Sequence, residues 1–180
     1  FKHLRIKIPA LSAVKRGIAL GIPIFSVQHH CAHLAGAIAE NDLIHEPVLG
    51  CSWDGTVFGL DNTSWGGEFF LFSTKEIKRI GSIRLFPLLG GEKAVREPRR
   101  IALALMCQSG LGSLARQIFG ATFSDEELSV FTGLQKSAPL TSSIGRLFDG
   151  VAALLGIRSI AQYEGQAAME LQACAERALS

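Results

Sequence analysis

Apolar positions along the chain change their period at about residue 93. Before it they fall in short runs bounded by turn residues; after it they recur every three or four positions. In the first half, 10–20 predicts a short helix stopped by Gly21 and Pro23, and 22–27 predicts a buried strand. Helical spacing over 30–41 (Leu34, Ala35, Ile38, Ala39) gives way to Glu46-Pro47, and 48–53 predicts a second strand. Asp54-Gly55-Thr56 and Gly59-Leu60-Asp61-Asn62 carry turn chemistry. Segments 64–73 and 77–87 predict paired antiparallel strands, closed off by Leu89-Gly90-Gly91. The second half predicts helices over 94–108, 111–119, 124–133, 143–156 and 162–178. The expected fold class is α/β, with a strand-rich half over 1–92 and a helical half over 93–180.

Composition narrows the function classes. The 180 residues, 48% of them hydrophobic and 19 of them glycine, suit one core-bearing globular unit with many tight turns. Eighteen Lys+Arg against sixteen Asp+Glu leave +2, too balanced to favour nucleic acid or an anionic membrane. No apolar stretch is long enough for a membrane span. No apolar run follows Lys2, His3, Arg5 and Lys7, so no signal peptide is expected. Cys31, Cys51, Cys107 and Cys174 form no Cys-x-x-Cys pair and fit reduced, mostly buried thiols of a cytoplasmic protein. Phe1 in place of a starting methionine suggests a piece of something longer.

Chemistry enters at His29 and His33. Residues four apart share a helix face, about 6 Å apart at Cβ, so two imidazoles can converge on one divalent ion. Zinc or iron commonly adds a carboxylate to such a pair, and Asp54 stands at the end of the second strand. The plainer alternative leaves one histidine exposed and one hydrogen-bonded at a helix start. His30 points elsewhere on the helix and reads as structural. Cys31 or Cys51 as a nucleophile would need a base or a positive field beside it; small buried thiols are the simpler account.

Other segments stay open between two readings. Trp65-Gly66-Gly67-Glu68 suits either backbone approach to phosphate oxygens or a strand kink. Arg96-Glu97-Pro98-Arg99-Arg100 suits oxyanion binding or, more simply, a helix start with Pro98 in its first turn. Ser142 or Ser143 suits a helix cap. Asp149 lies on an otherwise apolar helix face, where a carboxylate is costly without a partner, and Tyr163-Glu164-Gly165-Gln166 opens the last helix. Asp149 and Glu164 could each reach a ribose hydroxyl or pair with an arginine.

In this order, Val27-Gln28-His29-His30-Cys31-Ala32-His33, Trp53-Asp54-Gly55-Thr56, Trp65-Gly66-Gly67-Glu68, Arg96-Glu97-Pro98, 142–149 and Tyr163-Glu164-Gly165-Gln166 resemble the HypF family. These are the carbamoyltransferases of nickel–iron hydrogenase maturation, and the resemblance is to their C-terminal, threonylcarbamoyl-transferase-like part. It implies a partial actin-like ATPase (ASKHA) fold with RNase H-like halves. It further implies a zinc or iron ion at His29, His33 and Asp54, and nucleotide and carbamoyl binding around Gly55, Gly66, Gly67, Glu68, Asp149 and Glu164. The implied reaction passes carbamoyl from carbamoyl-adenylate, made elsewhere from carbamoyl phosphate and ATP, to the C-terminal cysteine of HypE. Threonylcarbamoyl transfer to tRNA, antibiotic O-carbamoylation or a non-catalytic scaffold role are the alternatives. Cys31 and Asn62 depart from the family pattern at a histidine and a glycine. Segments expected before Phe1 and after Ser180 are absent, so the isolated chain is expected to be the middle of a transferase domain and inactive alone.

Overall fold

The computed structural model describes residues 8–179. Helix α1 (Ile8–Ala19) matches the first predicted helix. The predicted strand over 22–27 is absent: the segment is irregular and exposed, with Phe25 87% accessible. An apolar run becomes a strand only when another strand completes its hydrogen bonds, and none of the described residues does so. The stretch holding Lys2, His3, Arg5 and Lys7, on which no signal peptide is expected, lies outside the described residues.

Helix α2 (His29–Glu40) starts where Gln28 caps it, the Gln28 side chain accepting from the Cys31 N–H at 3.1 Å. Its buried residues His30, Leu34 and Ile38 recur every four positions and form the stripe that meets the sheet. There Leu34 and Ile38 pack with Trp65 and Phe70. Burying two such aliphatic side chains supplies about 3–6 kcal/mol to the docking of α2. Gly50 makes room for it, because a Cβ at that position would stand 2.3 Å from Leu34 Cδ1.

Strand β1 (Val48–Phe58) pairs antiparallel with β2 (Ser64–Phe72), and β2 with β3 (Ile77–Ser82). The β1–β2 connection turns at Asn62, whose φ of 62° is the left-handed conformation the Asp-Asn pair suggested. Asp54-Gly55-Thr56 is not a turn. The register passes from Trp53↔Gly67 to Val57↔Trp65, so three β1 residues oppose Gly66 alone and the strand bulges. The predicted strand over 77–87 is divided into β3 and the two-residue β4 (Phe86–Pro87), separated by an irregular segment.

After β4 come a short α3 (Lys93–Arg96) and α4 (Pro98–Gln108), with Pro98 at the first helical position, then α5 (Gly112–Phe119) and α6 (Asp125–Leu134). The one helix predicted over 94–108 is broken because Pro98 has no N–H and disfavours helix in the residue before it. Ser124 and Glu127 cap α6 reciprocally. A strand unseen in the sequence, β5 (Leu140–Thr141), lies parallel to β2 and antiparallel to β4. Sheet order is β1-β2-β5-β4, with β3 also on β2. Helices α7 (Ile144–Leu154) and α8 (Gln166–Leu179) complete the chain. The largest core cluster joins Leu89 and α4 to Phe119, Phe123, Leu128, Phe131 and Ala153. No helix among the described residues is long and apolar enough to cross a membrane.

Candidate metal centre

The β1 bulge turns Asp54 out of the strand toward the first turn of α2. Asp54 Oδ1 accepts from the Gly55 N–H at 2.6 Å, which leaves Oδ2 facing the histidines. Asp54 Oδ2 lies 2.9 Å from His29 Nε2 and 3.9 Å from His33 Nε2, and the two ring nitrogens are 3.0 Å apart. Oδ2 is buried, yet it has no directed hydrogen-bond partner among the described residues. The two outer imidazoles can hydrogen-bond to one another in one tautomer, but Asp54 Oδ2 makes no directed bond to either, as expected of lone pairs aimed at a common point. A triangle with sides of 3.0, 2.9 and 3.9 Å has a circumscribed radius of about 2.0 Å, the length of a zinc–nitrogen or zinc–carboxylate bond. His29, His33 and Asp54 therefore fit a divalent ion, and both histidines are open to solvent on one side.

His30 is fully buried beside them, its Nε2 4.0 Å from Asp54 Oδ2. Burial lowers its pKa, against the opposing pull of Asp54 and Glu68. Gln28 Nε2 meets its Nδ1 at 3.0 Å.

Two neighbouring cavities open here. One of about 970 Å³ is lined by His29, Asp54, Gly55, Thr56, Phe58 and Glu164 among others. The other, about 820 Å³, shares Thr56, Phe58 and Glu164 and adds Lys93 and Arg96 from α3. Glu164, exposed in the turn before α8, thus faces both.

The remaining predicted site residues, Gly66, Gly67, Glu68 and Asp149, are buried and line neither cavity. Gly66 and Gly67 are buried, and a Cβ on Gly66 would lie 2.2 Å from the Gly55 carbonyl oxygen and 2.7 Å from Ser143 Cα. Their absent side chains let β1, β2 and the start of α7 close on one another. Glu68 is inaccessible: its oxygens take the Ser142 hydroxyl and the Arg79 guanidinium in short contacts and face the Gly66 and Gly67 N–H groups at 3.3 and 3.4 Å. Arg79 also stacks 4.4 Å over Trp65 and pairs with Asp61 at 3.2 Å. Ser143 caps α7, accepting from the Arg146 N–H at 3.1 Å. Asp149, 2% accessible, pairs with Arg146 at 3.0 Å. Burial raises its pKa to about 6 against the opposing Arg146 charge, and Glu164 adds to the rise.

In the arginine segment, Glu97 bridges Arg99 and Arg100, each at 2.8 Å, and these stack on Phe123 and Phe131. That binds α4 to the α5–α6 connection and to α6, while Arg96 lines the smaller cavity. None of the cysteines is fully buried: Cys51 is exposed and the other three are half-buried. Burial raises the thiols of Cys31, Cys51 and Cys107, opposite to what an activated nucleophile needs. Sequence reasoning passed over Gln28 and Thr56; the signal for Gln28 was its place one residue before a helix that begins with two histidines.

A mixed sheet whose bulged strand β1 faces a histidine-bearing helix makes this an α/β protein with a candidate metal site at the sheet's edge. Residues 50–180 match the family described as "Carbamoyltransferase, Kae1-like Domain, second subdomain". The chain belongs to the HypF carbamoyltransferase family. It is 41% identical over 165 residues to carbamoyltransferase HypF of Rhizobium leguminosarum bv. viciae, covering 92% of this chain and 22% of that protein. It is 42% identical over 175 residues to carbamoyltransferase HypF of Rhodobacter capsulatus, covering 93% and 23%. Among solved structures, T. kodakarensis HypF superposes with a TM-score of 0.81 at 28% identity, covering 97% of this chain and 24% of that one. Full-length HypF in the phosphate- and nucleotide-bound form superposes at 0.76 and 35% identity, covering 88% and 21%. The chain spans about a fifth of the length of these relatives.

Proposed function

We propose that the chain supplies the metal-holding wall of a carbamoyl-transfer site. In this reading His29, His33 and Asp54 hold zinc or iron beside a cleft for nucleotide. The protein it belongs to moves a carbamoyl group from carbamoyl-adenylate to the C-terminal cysteine of HypE in hydrogenase maturation. The observation that carries this reading is the convergence of three donors from α2 and the β1 bulge, two of which, His29 and Asp54, line the larger cavity. A relative solved with phosphate and nucleotide bound supports the cleft assignment.

In the transfer, the acceptor sulfur loses its proton and bonds to the carbamoyl carbon. The bond from that carbon to the adenylate phosphate oxygen breaks, and AMP leaves with the electron pair. A divalent ion at this site would supply Lewis acidity toward the carbamoyl or phosphate oxygens. The chain's own part is placement. Gly55 and Thr56 line the cleft beside His29 and Asp54, and Glu164 on the same cleft offers a carboxylate to a ribose hydroxyl. Glu164 in turn adds to the raised pKa of buried Asp149. Gly66, Gly67 and Glu68 act from below, holding the bulge that presents Asp54.

The test is elemental analysis of the intact protein beside its His29→Ala/His33→Ala variant, with transfer assayed from carbamoyl phosphate and ATP to HypE. Near-stoichiometric zinc or iron, lost in the variant together with transfer, is the expected result. Metal-free protein that still carbamoylates HypE would overturn the metal assignment. Metal without transfer to HypE would overturn the acceptor.

A further inference from the structure

The buried histidine between the two outer ones has no place in the proposed function, and its surroundings assign it one. His30 is wholly inaccessible, its Nδ1 meets Gln28, and its Nε2 has no hydrogen-bond partner among the described residues. Gln28 cannot be turned either way. Its Oε1 accepts from the Cys31 backbone N–H at 3.1 Å, which obliges its Nε2 to be the group 3.0 Å from His30 Nδ1. An amide nitrogen only donates, so His30 Nδ1 must accept. A neutral imidazole that accepts at Nδ1 carries its proton on Nε2. That N–H faces Asp54 Oδ2, 4.0 Å away, which is itself buried and without a directed partner.

Two unsatisfied buried groups of matching polarity thus stand opposite one another, about 1 Å beyond hydrogen-bond length. Leaving both unmet is costly, and a small rotation of the Asp54 carboxylate joins them. Asp54 Oδ2 has lone pairs enough to serve His30 on one side and face the outer histidines on the other.

We propose that His30 is a positioning residue. Gln28 holds it as the Nε2–H tautomer so that it donates to Asp54 Oδ2 and aims the carboxylate at the point shared by His29 and His33. The chain Cys31 N–H to Gln28, Gln28 to His30, His30 to Asp54 ties the helix cap to the ligand set, so the turn that starts α2 also orients a donor on β1. Such outer partners typically alter metal affinity about 10- to 100-fold. This inference rests on the metal reading above.

The test uses the intact protein with zinc alone, its affinity measured by competition with a chromogenic chelator, and ¹⁵N NMR of the His30 ring in metal-free protein. His30→Phe keeps ring volume and removes the donor; His30→Gln places an amide N–H near the former Nε2. Zinc affinity is expected to fall about 10- to 100-fold in His30→Phe and to recover most of that loss in His30→Gln, with the His30 ring of the unsubstituted protein showing the Nε2–H tautomer. Unchanged affinity in a folded His30→Phe protein would overturn the inference, and so would equal losses in both variants. Should the unsubstituted protein bind neither zinc nor iron, the metal reading fails. The tautomer then decides separately, since an Nδ1–H signal is incompatible with the Gln28 contact.

Discussion

Replacing Gly66 by alanine would push a methyl group into backbone that has no room to withdraw. The new Cβ would stand 2.2 Å from the Gly55 carbonyl oxygen, 2.7 Å from Ser143 Cα and 2.8 Å from the Asp54 carbonyl oxygen. A flexible side chain could swing aside from such contacts, but all three atoms belong to the backbone of the bulge and of the residue that caps α7. Relief requires β1 to part from α7 or β2 by nearly an ångström. Overpacking costs about 1–3 kcal/mol, and a site walled by main chain belongs at the upper end, about 3 kcal/mol. Gly55 is the control across the same bulge, because a Cβ there meets nothing within 4 Å. Gly55→Ala is expected to stay within about 0.5 kcal/mol of the parent. Hydrogen exchange of the β1–β2 ladder amides reads both, since core strands report opening free energies directly. About 3 kcal/mol corresponds to a loss of roughly 150-fold in protection for Gly66→Ala at 1.36 kcal/mol per decade. Zinc affinity should fall too, because the displaced bulge carries Asp54. If the two alanine variants differ by less than about fivefold in protection, the close approach at Gly66 is not what shapes the bulge.

Three further outcomes follow from buried charge and from the capping of α7. Asp149 has a folded pKa of about 6 against an ordinary 3.8, so the folded state keeps a proton that the unfolded state loses. Its contribution is fully present below the unfolded value and is lost as pH rises through about 6, a swing of order 3 kcal/mol. Asp149→Asn should flatten the stability–pH curve between those values, and an unchanged slope in denaturant titrations would contradict the assignment. Arg79→Met strands the inaccessible Glu68 carboxylate and should cost about 2–4 kcal/mol, less than a fully buried pair because Arg79 is 26% accessible. Adding Glu68→Gln should restore part of that in urea melts, and no recovery would mean that Arg79 acts through its stacking on Trp65. Ser143→Ala removes the cap of α7 and should cost about 1 kcal/mol, visible as faster exchange of the Arg146 amide; a cost near zero would mean that another group satisfies that N–H.

Local patterns carried far in this chain because their causes are local. The helical stripe Leu34–Ile38, Ser143 before an apolar helix and Asp61-Asn62 between two strands each act within one or two turns of chain. So does the four-residue spacing of His29 and His33, and all of these were legible in the sequence. Whatever needed a partner distant in sequence was not. Residues 22–27 have a strand's composition, but a strand exists only where another supplies its hydrogen bonds. Asp54-Gly55-Thr56 has a turn's composition, yet the ladder to β2 continues on both sides and makes it a bulge. Leu140–Thr141 is too short to show a period and becomes β5 because Ser64 and Phe86 flank it. The candidate site divides in the same way. Sequence alone determined that two histidines share a helix face; it put Asp54 at the end of a strand, whereas the fold carries β1 past it and makes it part of a bulge. Only tertiary structure decided that Leu34 seats α2 over Gly50, bringing Asp54 Oδ2 to 2.9 Å from His29, and that Glu68 and Asp149 lie buried against arginines. Register and burial belong to the whole fold, because each is set by surfaces that the chain brings together only once it has closed.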